Sequence, residues 1–240
     1  MHTKKKSFMD GLEESLIAVI LGLMTMITFI NVVLRYSAST GFGTYMREVW
    51  GINGGLIWGL EATSILFSWL VLLGVSYCVK ITAHLGVDSV VNLFRTATRR
   101  KLALLATAIS IIYAFLLLKA GYDYFANFAN LPATTGKFFP TGFEEMRPVS
   151  YQGWYSMERI PMPDWLRFIE PVMLFDGDDP YTKIPRFIPY SILPIGAALL
   201  LFRLVQAFVA LANGKRDTLI VSHEAEDDVK EVAANATKEA

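Results

Sequence analysis

A run of twenty residues without a charged side chain, Ser15 to Leu34, is the feature that most limits how this chain can fold. At about 1.5 Å of rise per residue, such a helix crosses the hydrocarbon layer of a bilayer, which is about 30 Å thick. Three further stretches share this apolar character, residues 60–79, 102–118 and 187–212. Since 53% of all residues are apolar, the sequence predicts an all-α integral membrane protein with four transmembrane helices.

The distribution of basic residues predicts the orientation of these helices. Lys4, Lys5 and Lys6 precede the first span, and Lys215 and Arg216 follow the last one. The connection between the second and third spans holds six residues of basic type: Lys80, His84, Arg95, Arg99, Arg100 and Lys101. Because cytoplasmic loops carry an excess of Lys and Arg, both termini are predicted to be cytoplasmic.

The ends of the chain differ in character. The first span is longer than the apolar core of a signal peptide, so we interpret it as a retained anchor. Residues 1–216 are predicted to form one membrane domain. Residues 217–240 are rich in alanine and acidic residues, and we expect them to be a disordered cytoplasmic tail.

The connection between the first two spans, residues 37–59, is too polar and glycine-rich to cross a membrane. Tyr45, Val49, Ile52 and Leu56 would nevertheless share one helical face, which predicts an interfacial helix lying in the membrane surface. Three glycines weaken helix formation by about 1 kcal/mol each, so part of the segment is expected to be irregular.

The connection between the third and fourth spans, residues 121–184, is a long insertion that is net acidic and dense in aromatic residues. Its charge and its position in the four-span order place it on the periplasmic side. This composition is typical of a cap on the membrane surface or against another protein.

Two charged residues mark the same predicted membrane level, Arg35 at the end of the first span and Glu61 at the start of the second. They could form an ion pair, or Glu61 could bind a transported ion or proton, because intramembrane carboxylates are candidates for function. We favour structural pairing or partner contact, since Glu61 lies at the edge of its span. Trp69 is expected to pack against a neighbouring helix, and Arg203 to snorkel to the cytoplasmic interface.

His84 and Asp88 are four residues apart and would share a face of a helical turn, where they could hydrogen-bond. We favour structural capping over a metal site, because no second histidine or cysteine is near them. Pro194, followed by Gly196, predicts a kink in the last span.

The sequence contains no pattern that supports catalysis. Its three histidines, His2, His84 and His223, lie outside the apolar spans, and Cys78 is the single cysteine. A nucleophile–base pair, a metal-ligand cluster and a phosphate-binding glycine loop are all missing from the sequence. We therefore predict a protein that is not an enzyme, that needs no cofactor or metal and that binds no nucleic acid.

Several short motifs, in order, resemble the small, Q-type membrane subunit of TRAP transporters, the tripartite ATP-independent periplasmic carriers. They are Val32-Val33-Leu34-Arg35-Tyr36, Glu61, Trp69 to Gly74, His84-Leu85-Gly86-Val87-Asp88, and Leu193-Pro194-Ile195-Gly196. The resemblance covers about Leu12 to Ala212 and is greatest to the C4-dicarboxylate branch. The long insertion departs from compact members of that family.

The resemblance implies a bacterial inner-membrane complex in which a periplasmic binding protein delivers an organic acid anion to a large M-type permease. The permease would import the anion by using an ion gradient, and the small subunit would be a fixed scaffold held among membrane lipids. The insertion is then expected to help dock the binding protein. Two alternatives remain open: an independent small transporter or channel, and an anchoring or assembly subunit of another membrane complex.

Overall fold

The computed structural model describes residues 8–81, 96–131 and 152–214. Its helices are α1 Phe8–Ser37, α2 Gly41–Trp50, α3 Gly59–Lys80, α4 Thr96–Ala126, α5 Glu170–Met173, α6 Phe187–Tyr190 and α7 Ile192–Ala212. Two strands, β1 Ser156–Pro161 and β2 Lys183–Pro185, pair antiparallel, and a 3₁₀ helix covers Asp164–Ile169. The tail, His84, Asp88 and residues 132–151 of the insertion lie outside the described residues.

Within the described residues, four helical segments are long and apolar enough to cross a membrane, which confirms the number of predicted spans. They are Gly11–Ser37, Gly59–Lys80, Thr98–Ala126 and Phe187–Ala212, the last of which joins α6 and α7. The expectation of an all-helical protein missed the two-stranded sheet. Its strands lie between the third and fourth spans, where a period-two pattern is too short to stand out from the surrounding aromatic residues.

The four long helices pack in the neighbour order α1, α3, α7, α4. Helix α3 packs against α1 on one side and α7 on the other, and α7 in turn packs against α4. One cluster of side chains joins α1, α3 and α7 through Ile20, Leu73 and Ile192. A second cluster joins α3, α4 and α7 through Val79, Ala114 and Leu204. In the described part of the chain α1 and α4 make no substantial contact, so the helices form a row.

Two glycines allow close approach to α7. A Cβ atom added to Gly196 would lie 2.9 Å from Cβ of Leu72 on α3. A Cβ added to Gly121 of α4 would lie 3.2 Å from the backbone of Leu193. Without a favourable transfer from water, helices in lipid associate through such tight packing, and small residues at the contact permit it.

Helix α2 is shorter than the predicted interfacial helix. The side chain of Thr40 accepts a hydrogen bond from the Gly43 amide and caps the first turn. Gly51 adopts a φ of 65° and ends the helix, so Ile52 and Leu56 do not continue the face of Tyr45 and Val49 as expected. A left-handed glycine is a common helix terminator, because other residues resist this conformation.

Residues 152–186 form a compact unit that we call the cap. Buried side chains of Met162, Met173 and Tyr181 make its core, and Phe187 at the start of α6 packs against them. The hydroxyl of Tyr181 donates to the Gly153 carbonyl. The cap therefore sits directly on one end of the helix row, which we call the cap end; the opposite end, with Glu13, Lys80 and Arg100, we call the charged end.

Replacing Gly196 by alanine should weaken the α3–α7 contact, because the new methyl group lies against Cβ of Leu72 and one helix must move away. Overpacking of this kind costs about 1–3 kcal/mol, so we expect a lower Tm in detergent. The matched control is Gly74→Ala, since a Cβ at Gly74 meets no atom within 4 Å. Equal melting temperatures for the two variants would contradict the close approach.

Candidate functional site

Glu61 lies in the first turn of α3 and binds the backbone of β1. Its Oε1 accepts a hydrogen bond from the amide of Glu158 at 2.8 Å. Its Oε2 accepts from the amides of Arg159 at 2.8 Å and Ile160 at 3.0 Å. A carboxylate has about four acceptor positions, and backbone amides occupy three of them. The arrangement attaches the cap to the second span.

The local shape of β1 makes this contact possible. Successive amides of a regular strand point to opposite sides, so three consecutive amides cannot normally reach one carboxylate. Here the pairing with β2 is irregular between Ser156 and Pro161. Lys183 donates to the Glu158 carbonyl across the same stretch. Consecutive N–H groups on an irregular backbone form a concavity suited to an anion.

Arg35 does not pair with Glu61, so the ion pair considered in the sequence analysis is wrong. The Arg35 side chain is exposed, and it forms no ion pair within the described residues. The backbone amides of β1 occupy the carboxylate instead. Sequence reasoning placed the two charges at the same level but could not foresee a competing set of amides more than ninety residues later in the chain.

Asn31 of α1 holds the loop that leads into α3. Its Oδ1 accepts a hydrogen bond from the Leu56 amide at 2.9 Å. A Cβ on Gly55 would lie 2.6 Å from the same oxygen, and Gly55 has a φ of 144°. Sequence reasoning missed this residue, although a side-chain amide in a twenty-residue apolar run is itself a signal, because such a group needs a partner in lipid.

Trp69 joins α3 to the start of the last span. Its indole Nε1 donates to the Pro189 carbonyl at 3.1 Å. Close by, Pro194 cannot donate to the carbonyl of Tyr190, and the helix is interrupted at Ser191 between α6 and α7. Seven residues further along α3, the hydroxyl of Ser76 reaches the Gly196 carbonyl at 3.5 Å. Together these contacts attach the second half of α3 to the first turns of the last span.

A buried carboxylate, Glu13 of α1, pairs with two cations at the charged end. Arg203 of α7 donates to Glu13 Oε1 through Nη2 and, at 3.1 Å, through Nε. Lys80 Nζ lies 3.4 Å from Oε2. Glu13 is 9% exposed, so the three charges are largely removed from solvent. Arg203, which was expected to snorkel to the cytoplasmic interface, links α7 to α1 through Glu13, and Lys80 links α3 to the same carboxylate. Glu13 is the partner that sequence reasoning missed.

Arg100 connects α4 to the end of α7. It donates from Nε to the Leu211 carbonyl at 2.9 Å and from Nη2 to the Ala212 carbonyl at 2.7 Å. These carbonyls lie in the last turn of α7, where intrahelical donors run out and the helix dipole favours a cation. The residues described contain no group of three potential metal ligands. The polar contacts found here therefore connect elements of the fold to one another.

Comparisons with known proteins give one consistent result. The family model of the DctQ component of tripartite ATP-independent periplasmic transporters matches residues 24–143. A protein of Vibrio cholerae named C4-dicarboxylate TRAP transporter small permease protein DctQ is 35% identical over 96% of this chain and 84% of its own length. Proteins of the same name are 34% identical over 47% of the chain and 60% of their own length in Pseudomonas aeruginosa, and 20% identical over 85% and 78% in Rhodobacter capsulatus.

Glu61→Gln should loosen β1, because the amide nitrogen that replaces one oxygen cannot accept a hydrogen bond from the strand. Hydrogen bonds to charged groups contribute about 1.5–3 kcal/mol, and 1.4 kcal/mol corresponds to about tenfold in an equilibrium. We expect hydrogen exchange at the amides of residues 158–160 to accelerate by at least about tenfold.

The matched control for this prediction is Glu48→Gln on α2, whose side chain is exposed. Exchange at residues 158–160 should be unchanged in that variant. Equal protection of these amides in the wild-type protein and in Glu61→Gln would contradict the proposed attachment.

Arg203→Met should destabilise the protein, because it leaves Glu13 buried with Lys80 as its remaining cation. Breaking a buried pair costs about 3–5 kcal/mol, whereas replacing both partners by apolar residues is often neutral. We therefore expect a triple variant, Glu13→Leu with Lys80→Met and Arg203→Met, to recover most of the lost Tm in detergent, because it removes all three buried charges. Arg35→Met, at an exposed position, serves as the control and should change the Tm little. A triple variant no more stable than Arg203→Met would count against the pairing.

Proposed function

We propose, since the chain belongs to the DctQ component family of the tripartite ATP-independent periplasmic transporters, that it is the non-catalytic scaffold subunit of a secondary active transporter. Its membrane partner is a large M-type permease, and a periplasmic binding protein delivers the substrate to the complex. The permease imports an organic acid anion by using an ion gradient. The small subunit enlarges the fixed platform beside the part of the permease that moves.

The observation that carries this proposal is the neighbour order α1, α3, α7, α4. A carrier acting alone needs polar groups near the bilayer midplane between helices that can rearrange. The four helices instead form a row, in which α1 and α4 make no substantial contact within the described residues. The row presents broad apolar faces, with large exposed side chains on both outermost helices: Val19, Met26 and Phe29 on α1, and Leu105, Ile109 and Ile112 on α4. These faces suit contact with lipid and with another membrane protein.

The proposed substrate is a C4-dicarboxylate. Its support is the 35% identity to the Vibrio cholerae protein over 231 residues, which includes both ends of the helix row and the cap.

We propose the bacterial inner membrane as the location, with both termini in the cytoplasm. The charged end then faces the cytoplasm, in agreement with the basic residues near Lys80 and Arg100. The cap lies on the periplasmic side, where the binding protein arrives, and is the largest body outside the spans among the described residues. Helix α2 lies in the membrane interface, which its exposed Phe42, Tyr45, Val49 and Trp50 support.

The proposed roles of the site residues are structural. Glu61 attaches the cap, Trp69 and Pro194 set the contact between α3 and the last span, and Arg203 secures the charged end. Arg35 is exposed and free to contact the permease or lipid headgroups. His84 and Asp88 remain proposed capping or partner-contact residues. Residues 1–216 form the membrane domain and residues 217–240 a cytoplasmic tail.

Affinity purification of the chain in mild detergent should recover a large permease, and proteoliposomes should take up a C4-dicarboxylate when both subunits and the binding protein are present. Uptake should depend on an imposed ion gradient and should fall to background when this chain is reconstituted alone, because the proposal assigns the substrate pathway to the permease.

Three results would contradict the proposed function. Transport by the chain alone would indicate an independent carrier or channel. Recovery of respiratory or other unrelated partners would indicate an anchoring subunit of a different complex. In Glu61→Gln, normal assembly combined with a lost sodium or pH response would indicate that this carboxylate binds the coupling ion.

A further inference from the structure

Three large apolar side chains protrude from the cap and share one side of it. Trp165 is 75% exposed, Phe168 is 71% exposed and Val172 is 74% exposed. They belong to the 3₁₀ helix Asp164–Ile169 and to α5, which follows it directly. We call these three residues the apolar ridge.

The segment 164–173 has three distinct faces. A 3₁₀ helix has three residues per turn, so every third residue shares a side. Leu166, Ile169 and Met173 form the first face and belong to the core of the cap. Trp165, Phe168 and Val172 form the second face, which is the apolar ridge. The segment is therefore apolar on two sides, although the cap core can cover one of them alone.

The third face holds the charges of the segment, one cation paired with two carboxylates. Arg167 pairs with Asp164 at 3.2 Å and with Glu170 at 3.0 Å. Its Nη1 also donates to the Tyr181 carbonyl at 3.4 Å. The guanidinium therefore lies among groups of the cap itself and away from the ridge.

The segment lies close to the ends of the membrane-spanning helices. The core beneath it includes Phe187, the first residue of α6, and Ala129, three residues after the end of α4. The strand that precedes it bonds to Glu61 in the first turn of α3. Three spans thus reach the cap within one layer of side chains, so the segment that carries the ridge lies next to the level at which the apolar helices end.

We propose that the apolar ridge is a membrane anchor, in which Trp165, Phe168 and Val172 enter the headgroup and upper acyl region of the outer leaflet. Tryptophan is enriched at this depth, because its ring is apolar and its N–H can reach water or headgroups. A face of three large apolar side chains needs a permanent cover. Lipid is always present beside the spans, whereas a delivering protein would leave the ridge in water between encounters.

The anchor adds a lipid contact to the cap beyond the scaffold role. It rests on the proposed membrane placement of the four spans. Two substitutions at exposed mid-span positions, Phe29→Cys on α1 and Ile112→Cys on α4, check that placement independently of the ridge.

The test uses nitroxide labels on the full chain, purified with its permease and reconstituted in vesicles of phosphatidylethanolamine and phosphatidylglycerol. The background is Cys78→Ser, which removes the single native thiol. Labels are placed at Phe168→Cys and Val172→Cys, and the matched control is Asp179→Cys on an exposed turn of the cap. Collision with oxygen, which dissolves in lipid, is compared with collision with a water-soluble nickel complex.

We expect oxygen to relax the labels at residues 168 and 172 more than the nickel complex does, with the reverse order at residue 179. Equal access of the nickel complex to all three positions would overturn the anchor. Shielding of residues 168 and 172 from both reagents would assign the ridge to the permease. Nickel access that disappears when binding protein is added would assign it to that protein.

A second measurement avoids labels. Vesicles containing brominated lipid should quench part of the tryptophan fluorescence of the wild-type complex, and Trp165→Phe should remove that part of the quenching. Unchanged quenching in this variant would also overturn the anchor. If the labels at residues 29 and 112 also show no contact with lipid, the proposed membrane placement of the spans is wrong. The two labels therefore distinguish that failure from a failure of the anchor alone.

Discussion

The contact between α3 and α7 supports the remainder of this fold. In the row of helices, α1 reaches α7 and α4 chiefly through α3, and α4 reaches α3 chiefly through α7. The central pair therefore has to be held by more than dispersion forces. The missing side chain of Gly196 lets Leu72 approach, and the hydrogen bonds of Trp69 and Ser76 fix the register. Each polar contact uses a backbone carbonyl of the last span, which suits an environment without water.

Polar side chains of the spans are concentrated at the two ends of the row. At the charged end, Glu13 joins α1, α3 and α7 through Lys80 and Arg203, and Arg100 caps α7. At the cap end, Glu61 and Asn31 bind backbone amides of neighbouring segments. Between the two ends, the helices are joined by apolar packing and by the hydrogen bonds of Trp69 and Ser76 to backbone carbonyls. This division lets the helices keep an apolar surface over the depth of the bilayer while each buried charge has a partner.

The sequence predicted the spans well, because a long run without charge has few alternative structures. It could not predict the partners. Arg203 and Glu13 are 190 residues apart, and neither local sequence indicates that the two side chains are in contact. The partner of Glu61 was harder to predict, because every residue except proline has a backbone amide and the sequence does not show which amides are available. Arg35, at the same predicted membrane level, was a reasonable but wrong partner. The glycines of this segment correctly predicted that part of it would be irregular. The residue at which α2 ends, Gly51, could be identified only from its left-handed backbone conformation.

The irregular strand β1 has a mechanical consequence. Glu61 of the second span binds the backbone of β1. β1 also pairs with β2, and the chain continues from β2 through Arg186 directly into the fourth span. The backbone of Arg186 returns to Tyr155, and its guanidinium to Ser156, which closes the connection at the base of the sheet. The sheet therefore connects the two central spans, α3 and the last span, at a point outside their membrane-spanning parts. This connection opposes sliding of α3 relative to the last span. When a neighbouring protein pushes on one of these helices, both are expected to move together as a rigid unit.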